Sequence, residues 1–213
     1  NFEAGLRYTS NRFESSLTGF RSDYKNLIGR CRVSDPNCTP GSEFNGGEVE
    51  IAGLEVSLLH TLPLTNFSRL EWALSYTYTE SEFGQTFLSG FSQWGLVREG
   101  DELPYIPEHI GNARISYFRN KWGIEGALDF QSEMREVPGT GDIGEELHAD
   151  DFTTLDLTIS HQTTDAFTLQ IMLLNALDKA AIVSHRPFGA RPNRPRSCLL
   201  YTSPSPRDLL KAR

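Results

Sequence analysis

A chain of 213 residues with a formal charge of −8 has no basic face to gain from counterion release, so nucleic acid is excluded as a partner. Hydrophobic residues make up 38% of it, and nowhere do they form the run of roughly 18 that a spanning helix requires. A membrane-crossing strand stays open, because it needs only about 9–11 residues with every second one apolar.

The chain opens inside a strand, with Phe2, Ala4, Leu6 and Tyr8 alternating with Glu3, Gly5 and Arg7. A period of two sets one face against something apolar and the other against something wet. With neither Met nor a leader at Asn1, the expectation is a segment of a longer protein. After a Ser-Asn turn, a second strand is expected over about 13–28, less regular but aromatic (Phe13, Phe20, Tyr24). The polar loop 29–47 holds Cys31 and Cys38, a spacing compatible with a small disulfide in an oxidising compartment; two unpaired thiols are the other reading. Lacking a second pair, these cysteines make a poor zinc site. The third strand, about 48–62, changes parity near Ala52-Gly53, from Val49 and Ile51 to Leu54, Val56 and Leu58, which predicts a bulge there.

The fourth strand, 69–83, has the clearest alternation: Leu70, Trp72, Leu74, Tyr76 and Tyr78 against Glu71, Ala73, Ser75, Thr77 and Thr79. A long loop, 84–108, precedes strands at about 110–118 and 122–133, joined by the tight turn Arg119-Asn120-Lys121. A Gly- and acid-rich loop, 136–151, then leads to a last hairpin over 152–178. In it Leu155, Leu157 and Ile159 oppose Asp156, Thr158 and Ser160, while Phe167, Leu169, Ile171 and Leu173 oppose Thr168, Gln170 and Met172.

These are about eight strands with connections alternating between short and long, and no useful helical period. A soluble β-sandwich also alternates, but its loops need not sort by end. A transmembrane barrel sorts them, with short turns on the periplasmic side and long loops outside. Trp122 and Phe130 lie on one face on the order of 19 Å apart along the normal for a strand tilted about 45°, a separation that suits the two edges of an apolar band. The other face carries Glu71, Asn112, Arg114, Glu125, Asp129, Asp156 and Gln170, which need water or polar partners. The expected fold class is therefore all-β: an antiparallel up-and-down transmembrane β-barrel, partial, with its final strand missing.

Four stretches resemble the C-terminal barrel of TonB-dependent outer-membrane receptors. DELPYIPEH (101–109) resembles that family's entry into a downward strand, and NALDK (175–179) the end of its penultimate strand, departing at Ala176 and Leu177. GGEVEIAGLE (46–55) is similar to a segment carrying an inward Glu after a Gly. SHRPFGARPNRPR (184–196) is similar to the last extracellular loop, in a form most like the ferric-dicitrate receptors. The resemblance implies residues 1–197 of a barrel of about 22 strands around a plugged lumen. It also implies the bacterial outer membrane and lipid around the wall, a ferric chelate as cargo, and coupling to the TonB complex through a missing N-terminal part. Residues 198–213, with Pro204 and Pro206 and no alternation, resemble translated sequencing adapter over 198–208, so a non-native tail is expected there.

No enzyme or cofactor motif is present: neither G-x-S-x-G, nor a P-loop, nor H-E-x-x-H. Glu145, Glu146, His148, Asp150 and Asp151 could capture a cation through oxygen, but such a run more often is a solvated loop, and no metal site is assigned. The candidate ligand contacts are Arg186, Arg191, Arg194 and Arg196, with Arg135 and Gln93 in other loops. Guanidinium forks suit an anionic chelate such as ferric citrate; the same arginines could equally pair with loop acids or lipopolysaccharide phosphates. A passive porin-like channel and a soluble β-sandwich binding module are the competing functions.

Overall fold

In a computed structural model, residues 1–31, 39–91, 93–144, 148–185 and 189–203 are described. Nine strands form one antiparallel sheet in chain order: β1 (Phe2–Thr9), β2 (Phe13–Tyr24), β3 (Val49–Thr65), β4 (Ser68–Phe83), β5 (His109–Arg119), β6 (Trp122–Gln131), β7 (Phe152–Thr164), β8 (Phe167–Leu174) and β9 (Ser197–Ser203). Each strand pairs with the next, β1 and β9 are left as edges, and the sheet does not close. Among the described residues there is no helix. Short turns gather at one end; at Asn120 the backbone takes a φ of 51°, the left-handed value a two-residue hairpin needs at its first position. Every long connection lies at the other end.

The register carries one apolar face across the sheet. Leu17 faces Val56 and Leu58 faces Leu74; Leu74 in turn faces Ala113, and Ile124 faces Tyr117 on one side and Ile159 on the other. No second layer covers this face: Leu6, Ile115 and Ile124 are each more than half exposed (77%, 55% and 53%). Leaving such side chains in water forgoes roughly 1.5–3 kcal/mol apiece, a cost that lipid tails remove. The soluble sandwich, which needs a second sheet on this face, does not fit. On the opposite face polar side chains pair with one another. Asn112 donates to Asp129 at 2.6 Å, Ser116 to Glu125 at 2.9 Å, and Arg69 meets Glu71 at 2.6 Å while lying 4.2 Å from the centre of the Phe118 ring.

Two expectations need correction. The parity change near Ala52-Gly53 is not a bulge, because pairing runs unbroken from Val49↔Phe83 to Pro63↔Arg69 and is irregular only between Pro63 and Thr65. Val49 and Ile51 lie on the polar face, and they are apolar because the long loops fold over that face here. Val49, Phe83, Val97 and Leu103 form a buried cluster with Ile51 and Phe87 packed on it. Gly53 has a packing reason of its own: a Cβ there would run into the Tyr78 carbonyl and the Phe20 ring.

The second correction concerns the number of strands, expected to be about eight and ending before residue 198. Residues 197–203 pair with β8 from Leu174↔Ser197 to Thr168↔Ser203. An open strand edge offers unpaired N–H and C=O groups to any extended segment that follows it, and Pro204 comes only after the last paired residue. The faces do not match, however. Leu199 and Tyr201 stand opposite Met172 and Gln170 on the polar side, while Cys198, Leu200 and Thr202 face the apolar side.

Candidate ligand-binding loops

Four long connections, 25–48, 84–108, 132–151 and 175–196, crown one end of the sheet, each with a small two-stranded hairpin. They are joined to one another. Loop 84–108 meets loop 132–151 where Glu102 N donates to Gly139 O at 2.9 Å and Tyr105 N to Arg135 O at 2.8 Å. Loop 132–151 meets loop 175–196 through Asp150, whose N donates to Ile182 O at 2.8 Å and whose carboxylate accepts from Ile182 N at 2.6 Å. The buried carboxylate of Glu136 accepts from His185 N at 2.8 Å.

Loop 175–196 is held to the wall by a polar knot. Asn175 is almost fully buried and adopts a φ of 49°, which Asn tolerates better than most residues. Its side chain donates to Lys179 O and Arg194 O, both at 3.0 Å, and accepts from Lys179 N at 3.1 Å. Asp156 of β7 accepts from Asn175 N at 2.8 Å with one oxygen and from Arg194 at 2.9 Å with the other.

The predicted contact residues therefore sit in different environments. Arg194 is paired with Asp156, and Arg196 with Asp178 at 3.1 Å; both arginines are about half exposed, so each pair is weak in energy but sets where the cation points. Arg191 is exposed on the short strand opposite Ser184, and Arg186 lies outside the described residues. Arg135 stands apart from this group, buried, its guanidinium 2.6 Å from Glu102 and donating to Gly141 O, which makes it a strut between two loops. Gln93 is exposed in a turn beside Trp94, whose ring stands edge-on to the stacked Phe44 and Phe91 rings. Cys31 is in a disulfide and Cys198 is a free thiol; Cys38 lies outside the described residues. So do Glu145 and Glu146, while His148 Nε2 lies 3.4 Å from Asp150. Among the described residues no three His, Cys, Asp or Glu side chains are placed to hold a metal.

A cavity of about 760 Å³ opens between β3, β4 and loops 84–108 and 132–151, with Glu50, Glu80, Glu82, Glu102, Glu108 and Glu133 in its wall. Its charge repels an anionic chelate. Sequence reading missed both this cavity and the Asn175 knot, since their members come together only through strand pairing. The one local signal was NALDK, quoted for resemblance and not for its buried Asn.

The fold is shared with known proteins. The family of TonB dependent receptor-like β-barrels matches residues 1–176. An iron-regulated outer membrane virulence protein of Vibrio cholerae serotype O1 is 28% identical over 203 residues, covering 89% of this chain and 28% of that protein. Among solved structures, the ferric-catecholate import receptor Fiu from K12 E. coli, in its closed form, superposes with a TM-score of 0.64 at 17% identity, covering 94% of this chain and 26% of Fiu. The unliganded ferric citrate transporter FecA does so with 0.65 at 18% identity, covering 94% and 30%. The chain thus spans between a quarter and a third of the proteins it matches. Receptors of this kind are transporters and not enzymes. A sheet with one uncovered apolar face, short turns at one end and linked loops at the other is consistent with this match, and the chain belongs to the TonB-dependent receptor-like β-barrel family of the bacterial outer membrane.

Proposed function

We propose that the complete protein takes up a ferric chelate across the outer membrane, driven through the TonB complex acting on parts outside this chain. The last long loop receives the chelate, and citrate is the chelator class that its arginines suit. The observation that carries this is the Asn175–Asp156–Arg194 knot. It holds a Pro-stiffened, arginine-rich loop in place at the end where the long loops gather, while the nearby acidic cavity disfavours an anion. Preorganised guanidinium forks bind carboxylates with less ordering cost than mobile ones. The iron-regulated relative supports iron as the cargo.

Arg194 and Arg196 also serve the loop's own fold, so the test uses Arg186→Ala with Arg191→Ala in the complete receptor. Ferric citrate binding should weaken at least about tenfold, since a charge-assisted hydrogen bond contributes about 1.5–3 kcal/mol, and the loss should be larger at low salt. Unchanged affinity at both low and high salt removes this loop from the site. Residues 198–213 we take to be a non-native tail; the support, from its described part 198–203, is the mismatch that puts Leu199 and Tyr201 on the polar face.

A further inference from the structure

At the short-turn end, one row of directly opposed residues crosses five strands on the apolar face: Ser68, Arg119, Trp122, His161 and Leu169. Directly opposed side chains start about 4.5–5.5 Å apart, and the Trp122 and His161 rings lie with their centroids 4.2 Å apart. Lys121 follows Arg119 in the intervening turn. Among the described residues neither the Arg119 nor the Lys121 side chain has an ion pair or hydrogen bond. Arg69, at the same end on the polar face, is by contrast held by Glu71 and Phe118.

The acids of this end do not answer those cations. Glu14, Glu71 and Glu125 have the opposite parity and face the polar side, leaving among the described residues only Asp165 in a neighbouring turn. At the loop end Glu50, Glu80 and Glu82 succeed the last apolar pair, Leu54 and Tyr78, and the one arginine among them, Arg21, is paired with Glu50. Among the described residues, the face that lipid covers is therefore flanked by unpaired cations at one end and an excess of carboxylates at the other. Trp122, 54% exposed, sits where an amphipathic ring is stable, at the level of lipid headgroups.

We propose that Arg119 and Lys121, with the Trp122–His161 pair beside them, form a headgroup site for an anionic phospholipid of the leaflet on the short-turn, periplasmic side. The Arg119 fork holds the phosphate, Lys121 adds a second cation from below, and the indole packs against the glycerol region. The site rests on the membrane-barrel assignment and is independent of which chelate is carried.

The test is native mass spectrometry of the complete receptor, counting retained phosphatidylglycerol against phosphatidylethanolamine. The wild type should retain phosphatidylglycerol preferentially, and Arg119→Ala with Lys121→Ala should lose about fivefold for each cation removed. Heat-modifiable gel migration verifies that the variant is folded; if the double variant does not fold, Arg119→Gln and Lys121→Gln are read singly. Equal retention of phosphatidylglycerol by variant and wild type overturns the proposal. So does equal retention of the two phospholipids by the wild type, or a loss of lipopolysaccharide in place of phosphatidylglycerol. Ferric citrate binding should be the same in wild type and variant, so this result and that of the uptake test are read separately.

Discussion

β3 and β4 each pass through two environments, and their two halves obey opposite rules. From Leu54 to Leu62 and from Leu70 to Tyr78 the large apolar residues other than Leu59 stand on the outward face, with Gly53, Glu55, Ser57, Leu59 and their partners turned the other way. Four residues further toward the loops the assignment inverts, with Val49, Ile51 and Phe83 inward and buried or half-buried, and Glu50 and Glu82 outward. The backbone register does not change between the halves. What changes is the cover: nothing in the chain covers the outer face of the lower half, and folded loops cover the inner face of the upper half. A strand's apolar side is set by whatever lies against it, and the same ladder can serve two covers in succession.

The contrast can be broken most severely at its upper half. Phe83→Ala empties the centre of the loop cluster, and for a fully buried Phe the cost is about 3–5 kcal/mol. The expected outcome is rapid proteolysis of loops 25–48 and 84–108 while the barrel keeps its heat-modifiable migration; resistant loops would deny that the cluster holds them. Next in size is a charge in the lower half. Leu74→Arg, midway along the lipid-facing stretch, should destabilise the barrel by about 2–4 kcal/mol in urea titrations, whereas Glu82→Leu, on the same strand and nominal face, should stay within about 0.5 kcal/mol. Similar costs for the two would erase the boundary drawn between them. The smallest effect is expected away from both halves, at the loop knot. Asn175→Ala strands the Lys179 N–H and the Arg194 carbonyl, while the Lys179 carbonyl keeps its bond from the Asn193 amide, for about 1–3 kcal/mol. Hydrogen exchange should quicken within 175–196 and leave β7 unaffected.

Strand positions and the apolar face were legible wherever a single environment runs the length of a strand, as in β5, β6 and β7. There the period-two pattern is written in neighbouring residues and needs no partner to be read. The parity change in β3 was equally visible, but its cause was not. A bulge and a change of cover leave the same trace in one strand, and only the pairing with β2 and β4 separates them. The arginines of 184–196 stood out by composition alone. That Arg194 and Arg196 already have carboxylate partners depended on Asp156, 38 residues upstream of Arg194, and on the turn that Asn175 closes.

By itself the sequence determined an all-β chain with one greasy and one wet face, sorted loops, and an arginine-rich last loop. These follow from side-chain alternation and local composition, which act within a few residues. The tertiary structure alone decided which charges meet, which loops lock together, where the uncovered apolar face gives way to a buried cluster, and that 197–203 pairs with the β8 edge. Each of those depends on backbone pairing between distant segments, and a free β-strand edge bonds whatever extended chain reaches it, regardless of how well the side chains agree.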